Sequence, residues 1–303
     1  MYRSAVGCII AALFLIAAPA HAQDAPRPSA AGGLPAASRG PAPYETFIKD
    51  ATVLPGLFPI IEKDGGYYLE VQVAQLDKDF IETSVPASGT GGFGPEQGEP
   101  YVAPARIMHF ERHGNLVVLR WPNTFARTNA NSPESEGVND TLPSSVIGVV
   151  PLAAQDATRV VIPASVFLGD IAGLAAQLNF GKSPSHEYRL DPTKSFFASA
   201  KAFPDNDILR VDQTWSSASP ADVDNAPDAR NIEFKMTYNL IAAPDDGYVP
   251  RVADPRVGYF SQPLLNFVTD DQVRREVHYV SRWNFGKRTS AAPTNCTSDE
   301  YME

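Results

Sequence analysis

Short runs in which apolar and polar residues alternate recur along the chain from residue 57. The runs are rich in Val, Ile, Phe and Tyr, and Gly, Pro, Asn or Asp residues bound them, which predicts β-strands. The predicted strands are 57–62, 67–73, 79–85, 107–112, 116–121, 146–150, 159–162, 194–203, 207–215, 231–243 and 273–283. Because about ten predicted strands stand against one predicted helix, the fold is expected to be mainly β (α+β), as an antiparallel sandwich or an open barrel.

One segment has the periodicity of a helix. Residues 165–179 place apolar side chains on one helical face, and Ser165 stands where an N-cap is expected. Gly169 and Gly173 weaken this prediction, because glycine disfavours a helix interior. The sequence therefore predicts one principal helix, whose apolar face consists of Phe167, Ile171, Leu174 and Leu178.

The two ends of the chain differ in composition from the part between them. Residues 1–22 have a basic start, an apolar run and an Ala-His-Ala cleavage site, which is typical of a secretory signal peptide. The apolar run is shorter than the roughly 20 residues that span a bilayer, so a membrane anchor is disfavoured. The segment 23–43 reads as a disordered linker, 44–285 as the β-rich region with an internal boundary near 122–145, and 286–303 as a disordered tail.

The predicted export and the charge limit the classes of partner. An exported product would be periplasmic or extracellular, and cleavage would leave Cys296 as the single cysteine, without an intramolecular disulfide. The formal net charge is −10, and nucleic acids and anionic membranes are bound through basic surfaces. We therefore expect no nucleic-acid partner and, after signal cleavage, no membrane partner.

The stretch HFERH, residues 109–113, is similar to the zinc-protease signature H-E-x-x-H but fails its geometry. In a strand, residues four apart are separated by about 13 Å, too far for one zinc ion with ligands at about 2 Å. In a helix, Glu111 would lie about 200° from His109 and point away from the metal. We expect no metal and no catalytic residue here.

Two acidic clusters could hold a calcium ion weakly, although ordinary turns are the favoured interpretation. Neither has the twelve-residue loop pattern that closes on a glutamate. No G-x-S-x-G elbow supports a Ser-His-Asp triad. The clusters are Asp222, Asp224 and Asp228 in one case and Asp205, Asn206 and Asp207 in the other.

The run GYVPRVADPRVGYF, residues 247–260, is the most distinctive candidate site. Arg251, Asp254 and Arg256 alternate with Pro and Gly, so Asp254 could form a charge-assisted pair with either arginine. A structural clamp in the loop is the favoured interpretation. The alternative is an anion or carboxylate pocket that the two arginines build.

Several stretches in a fixed order also carry a family resemblance. GYVPRVADPRVGYF and REVHYVSRWNF, preceded by GLFPIIEKDGGYYLEV, LDKDFIETSV and MHFERHGNLVVLRW, resemble the N-terminal region of large secreted bacterial zinc-dependent metalloproteases, the DUF5117 type. The resemblance covers about residues 44–285. It implies that zinc and catalysis belong to a later metzincin-like domain with an H-E-x-x-H-x-x-G-x-x-H helix, which this sequence lacks.

The resemblance thus leads to the hypothesis of a non-catalytic accessory or pro-like region, a truncated product that needs no cofactor itself. The family is a metallopeptidase family, but this chain alone is expected not to be an enzyme. Its partners would be a separate metalloprotease catalytic domain or a peptide substrate. The alternative is a stand-alone periplasmic binding module that uses the arginines or the tyrosines Tyr67, Tyr68, Tyr248 and Tyr259.

Overall fold

The computed structural model describes residues 40–89, 96–98, 105–128, 133–181, 183–220, 226–244, 247–267 and 275–281. Sixteen strands lie in these ranges. In chain order they are β1 (Ala42–Pro43), β2 (Thr52–Leu54), β3 (Ile60–Lys63), β4 (Gly66–Gln72), β5 (Phe80–Pro86), β6 (Arg106–His113), β7 (Leu116–Trp121), β8 (Ala126–Thr128), β9 (Ser145–Pro151), β10 (Ala154–Gln155), β11 (Arg159–Pro163), β12 (Arg189–Ala202), β13 (Asn206–Ser216), β14 (Asn231–Ala242), β15 (Ser261–Phe267) and β16 (Arg275–Val280).

Helices are few and short in the described ranges. The α-helices are α1 (Tyr44–Phe47), α2 (Pro133–Thr141) and α3 (Leu174–Leu178), and 3-10 turns lie at Val73–Gln75, Ala164–Leu168 and Pro184–His186. No described helix has the length and apolar character that crossing a membrane requires. The predicted mainly β class is confirmed.

The largest element is a curled antiparallel sheet of seven strands, which forms a half-barrel. Its strand order is β12-β13-β14-β5-β6-β7-β9. Along its central strands the side chains alternate between the buried concave face and the outer face, as in β14, because successive residues of a strand point to opposite sides. This period of two is the reason that the sequence pattern predicted these strands.

A second sheet of six strands, in the order β1-β10-β11-β4-β3-β2, packs against the half-barrel. The tight turn between β3 and β4 places Asp64 and Gly65 at positive φ, which a two-residue type I′ hairpin requires. One apolar core joins the two sheets. It includes rings from both, with Phe58 edge-on to Phe80 and Phe110 at centroid distances of 5.3 Å.

A third, three-stranded sheet has the order β16-β15-β8. It pairs β15 with β16 in antiparallel and with β8 in parallel orientation. The segment 122–145, predicted as an internal boundary, contains β8 and the nine-residue helix α2. It therefore carries secondary structure of its own besides connecting β7 to β9.

The predicted continuous helix over 165–179 is wrong. The chain forms a 3-10 turn at Ala164–Leu168, breaks, and resumes as α3 at Leu174–Leu178. Gly173 adopts φ +75°, which ends any helical continuation there. Both carboxylate oxygens of Asp170 accept the first N–H groups of α3, from Leu174 and Ala175, so the helix begins after this residue.

Several sequence predictions lie outside the described residues. These are the signal peptide, the linker up to residue 39, the tail from residue 286 with Cys296, and Asp222 and Asp224 of one acidic cluster. The last residues of the predicted linker are described, and Ala42–Pro43 already form β1, in parallel pairing with β10. The ordered region thus begins before Tyr44.

Candidate functional site

The loop 247–260 is attached to the third sheet by its backbone. Val252 forms an isolated antiparallel bridge with Tyr279 of β16. On either side of the bridge, Ala253 N–H donates to the His278 carbonyl and Val280 N–H donates to the Arg251 carbonyl, both at 2.8 Å. The loop therefore lies along β16 as a partial fourth strand.

Of the two arginines in this loop, Arg256 bonds to Asp254, whereas Arg251 acts on it only through its charge, which also lowers the pKa of Asp254. Arg256 donates to the Asp254 carboxylate through Nε at 2.9 Å, and its guanidinium lowers the pKa of Asp254. Arg251 forms no ion pair with a described residue, and its guanidinium lies 5.9 Å from the centroid of the Tyr259 ring. Because Asp254 and Arg256 are two residues apart and exposed, their pair holds only a local turn.

The HFERH stretch forms the end of β6 and the start of its turn to β7. His109, Glu111 and His113 alternate with the buried Met108 and Phe110, so the three share the outer face. His113 Nε2 lies 2.8 Å from Glu111 Oε1, and Glu111 also accepts from Arg120 Nε across the strand pair at 2.5 Å. Arg120 lowers the pKa of Glu111.

The described members of the two acidic clusters are held in different ways. Asp207 is buried on β13 and accepts the Phe58 N–H at 2.7 Å, whereas Asp228 pairs with Arg230 at the surface. Throughout the described ranges no group of three or more His, Cys, Asp or Glu side chains lies close enough to hold a metal ion. A calcium site at Asp205–Asp207 has no geometric support, since the Asp207 carboxylate faces backbone N–H groups.

The concave face of the half-barrel contains a buried polar cluster that the sequence reading missed. Glu82 on β5 and Arg106 on β6 are directly opposite in the register, and Arg106 Nη1 donates to Glu82 Oε2 at 3.3 Å. Ser84 Oγ also donates to Glu82. Gln213 and Tyr238 complete the cluster, with 3.1 Å between Gln213 Nε2 and the Tyr238 hydroxyl.

The turn Gly169–Gly173 closes over this cluster. Arg106 Nη2 donates to the Ala172 carbonyl at 3.1 Å, and Gln213 Nε2 donates to the Gly169 carbonyl at 2.8 Å. The Arg106 guanidinium also lies 4.9 Å from the Trp121 ring centroid. Every charged member of the cluster is buried, and burial raises the pKa of Glu82. A sealed cluster of this kind orients strands and has no access for a substrate.

A sequence signal for this cluster exists. Glu82 follows Phe80 by two residues, and Arg106 precedes Met108 by two, so each charge stands on the core face of its strand. Charged residues are seldom buried without a partner, so two opposite charges at inward positions of neighbouring strands predict a pair. The sequence does not show which strands are neighbours, so the Glu82–Arg106 pair could be identified only once β5 was known to pair with β6.

Apolar side chains are exposed along the loop 247–260. Val249 is 76% exposed and Phe260 91%, and Val252 and Val257 are also exposed. Of the four tyrosines considered as ligand contacts, Tyr67 packs edge-on against Phe197 of β12 and Tyr68 against Phe47 of α1. The loop tyrosines Tyr248 and Tyr259 belong to the exposed surface. Clustered exposed apolar side chains are typical of interaction surfaces.

Two family models match the chain. The model described as a domain of unknown function, DUF5117, matches residues 102–288. The chain belongs to the DUF5117 family. A second model, also described as a domain of unknown function, DUF5118, matches residues 41–88. No curated protein and no solved structure matches the chain.

The two matched segments are interleaved in the fold. β5, from the DUF5118 segment, lies between β14 and β6, which both belong to the DUF5117 segment. Likewise β4 of the DUF5118 segment pairs with β11 of the DUF5117 segment over five residue pairs. The sequence analysis assigned residues 44–285 to one DUF5117-like region. Two adjoining family models cover these residues instead, and the strands of the two matched segments share two sheets.

Proposed function

We propose that this chain is a non-catalytic accessory region of the DUF5117 family that acts beside an exported zinc-dependent metalloprotease domain. The observation that carries the proposal is the exposed apolar surface of the loop 247–260, which suits contact with another folded domain. The sequence resemblance supports the choice of partner. The buried cluster around Glu82 and Arg106 supports a non-catalytic role, because a substrate has no access to it.

The test begins with the DNA that follows codon 303, translated in all three forward frames. A domain with H-E-x-x-H-x-x-G-x-x-H found there is expressed separately, and its binding to this chain is measured by isothermal titration calorimetry. We expect saturable binding, and a Phe260→Ser variant that weakens it strongly. Phe180→Ser is the matched control, since Phe180 is 89% exposed but lies after α3.

Two results would contradict the proposal. One is the absence of binding between the folded partners, and the other is an equal loss in both phenylalanine variants. Zinc content and peptidase activity of the isolated chain supply an independent check. Metal-dependent cleavage would show that the chain is itself catalytic, and stoichiometric zinc would count against the expectation that the metal belongs to another domain.

A stand-alone binding module is the second candidate, and a cavity favours it. The cavity measures about 460 Å³ and lies between α2 and the β8–β15 pair. Its lining is almost entirely apolar, which is typical of sites for small apolar ligands. The residues that line it are Phe125, Gly137, Val138, Thr141, Leu142, Leu265 and Phe267.

Gly137 offers a direct test of this candidate. A Cβ at this position has no neighbour within 4 Å, so Gly137→Leu places a side chain in open space beside the cavity and also favours the helix. With an apolar fluorescent probe such as 1-anilinonaphthalene-8-sulfonate, we expect the variant to lose saturable binding and keep its melting temperature. Glu136→Leu on the same helix is the control.

A further inference from the structure

The last strand of the half-barrel, β9, pairs on one side only among the residues that the structure describes. β9 hydrogen-bonds to β7 on one side, and in the described part of the chain no group donates to or accepts from its backbone on the other. The strand has the sequence SVIGVVP, without a charged residue. Two of its apolar side chains are exposed, Val146 to 54% and Val149 to 47%. An exposed apolar edge of this length is a template for pairing with another strand.

The other described sheet edges are protected. At the opposite end of the half-barrel, β12 contains Pro192, Lys194 and two register shifts, all of which discourage strand addition. The edge strands β1, β2 and β8 have only two or three residues, and the segment 251–253 lies along β16. β9 has seven residues and a single irregularity in its pairing with β7.

A cavity of about 500 Å³ lies directly beside this edge. Residues 147–150 of β9 form one wall, residues of the 3-10 turn Ala164–Leu168 form the floor, and Leu190 and Pro192 of β12 form the opposite wall. The lining contains no charged side chain, although the chain carries a formal net charge of −10. An uncharged aliphatic side chain is therefore the group that matches it.

We propose that β9 binds an extended polypeptide segment of another protein as an added strand. Main-chain hydrogen bonds to the open edge supply the affinity, and an aliphatic side chain of the segment enters the cavity. Alternate residues of the segment face solvent and are polar, since successive side chains of a strand point to opposite faces. This site is separate from the loop 247–260 and does not depend on the partner proposed for that loop.

The probe is a fluorescein-labelled peptide of alternating threonine and valine, as long as β9 and flanked by lysines for solubility. Its binding to the full chain is followed by fluorescence anisotropy. We expect saturable binding to the native chain. A counterpart with proline at alternate positions is expected not to bind, because it lacks the main-chain donors.

Val149→Lys is the decisive variant, and Val53→Lys is its matched control. Both valines are exposed residues of edge strands, Val149 on β9 and Val53 on β2, so both variants are expected to fold with native melting temperatures. Val149→Lys should weaken peptide binding about tenfold or more, since a lysine on the edge opposes strand addition. Val53→Lys should leave it unchanged.

Three outcomes would overturn the proposal. They are a native chain that does not bind the peptide, a proline counterpart that binds equally well, and equal losses in the two lysine variants. One further result would show that the strand bound to β9 comes from a second copy of this chain. If sedimentation velocity shows a dimer that Val149→Lys dissociates while the peptide fails to bind, β9 pairs with a second copy of this chain and not with a foreign segment.

Discussion

The Glu82–Arg106 pair is the residue-scale feature with the largest expected effect on stability. Both side chains are buried, so removing one leaves an uncompensated charge in the core. Arg106→Met is expected to lower the free energy of unfolding by about 3–5 kcal/mol, a cost typical of breaking buried ion pairs. Urea denaturation followed by circular dichroism measures this difference.

A double variant separates the charge from the packing. Glu82→Leu combined with Arg106→Met removes both charges, so it should be more stable than Arg106→Met alone. Arg256→Ala is the surface control, and its melting temperature should equal that of the native chain because the Asp254–Arg256 pair is exposed. A double variant less stable than the single one would show that the pair matters through its hydrogen bonds and not through its charges.

Asp207 makes stability depend on pH in a defined window. Burial raises its pKa from 3.8 to about 6, although the Phe58 N–H partly opposes the shift. The folded state therefore holds a proton that the unfolded state releases, and stability falls as the pH rises from about 4 to about 6. The loss is on the order of 2–3 kcal/mol at 1.36 kcal/mol per pKa unit.

The variant Asp207→Asn tests this assignment, because the amide keeps an acceptor for the Phe58 N–H and does not ionise. Free energies of unfolding at several pH values between 4 and 7.5 should fall less steeply in the variant than in the native chain. Burial also raises the pKa of Glu82, so some slope of the same sign should persist. An unchanged slope would assign the pH dependence to other groups.

At the scale of elements, the strands of the half-barrel could be predicted from the sequence, whereas β15, the short strands β1, β2, β8 and β10, and the break in the helix could not. The half-barrel strands bury one face, so their alternation is visible in the residues, as in β13 and β14. The segment 165–179 has a helical pattern, but Asp170 and Gly173 divide it where it must close over the polar cluster. Tertiary contacts with Arg106 and Gln213 determine that turn, and no local pattern reveals them.

The candidate site was predictable to a similar extent. The sequence placed Arg251, Asp254 and Arg256 on a loop between strands and allowed Asp254 to pair with either arginine, and the structure selects Arg256. The backbone of this loop lies along β16 through contacts with residues 279–280. These residues are distant in sequence, so the local pattern could not predict the contact. Likewise, the open edge of β9 follows from the strand order of the whole sheet.

At the scale of the whole molecule, the DUF5118 and DUF5117 segments share two sheets and lie in one compact unit. Removing the first would take β5 out of the middle of the seven-stranded sheet and would remove β1, β2, β3 and β4 from the six-stranded sheet. It would also expose the ring of Phe110, which Phe58 and Phe80 cover. We therefore predict that fragments 40–100 and 101–288, expressed separately, show no cooperative thermal transition.

Mixing the two fragments should restore the fold, because the missing strands can pair again with their neighbours. The expected readouts are a gain in β-type circular dichroism, a blue shift of the buried Trp215 emission and a cooperative transition. Arg106→Met in the larger fragment should weaken reassembly, since Glu82 on the smaller one would enter the core unpaired. A cooperative transition of fragment 101–288 by itself would instead make the two family segments independent domains, because β14 and β6 would then fold without β5 between them.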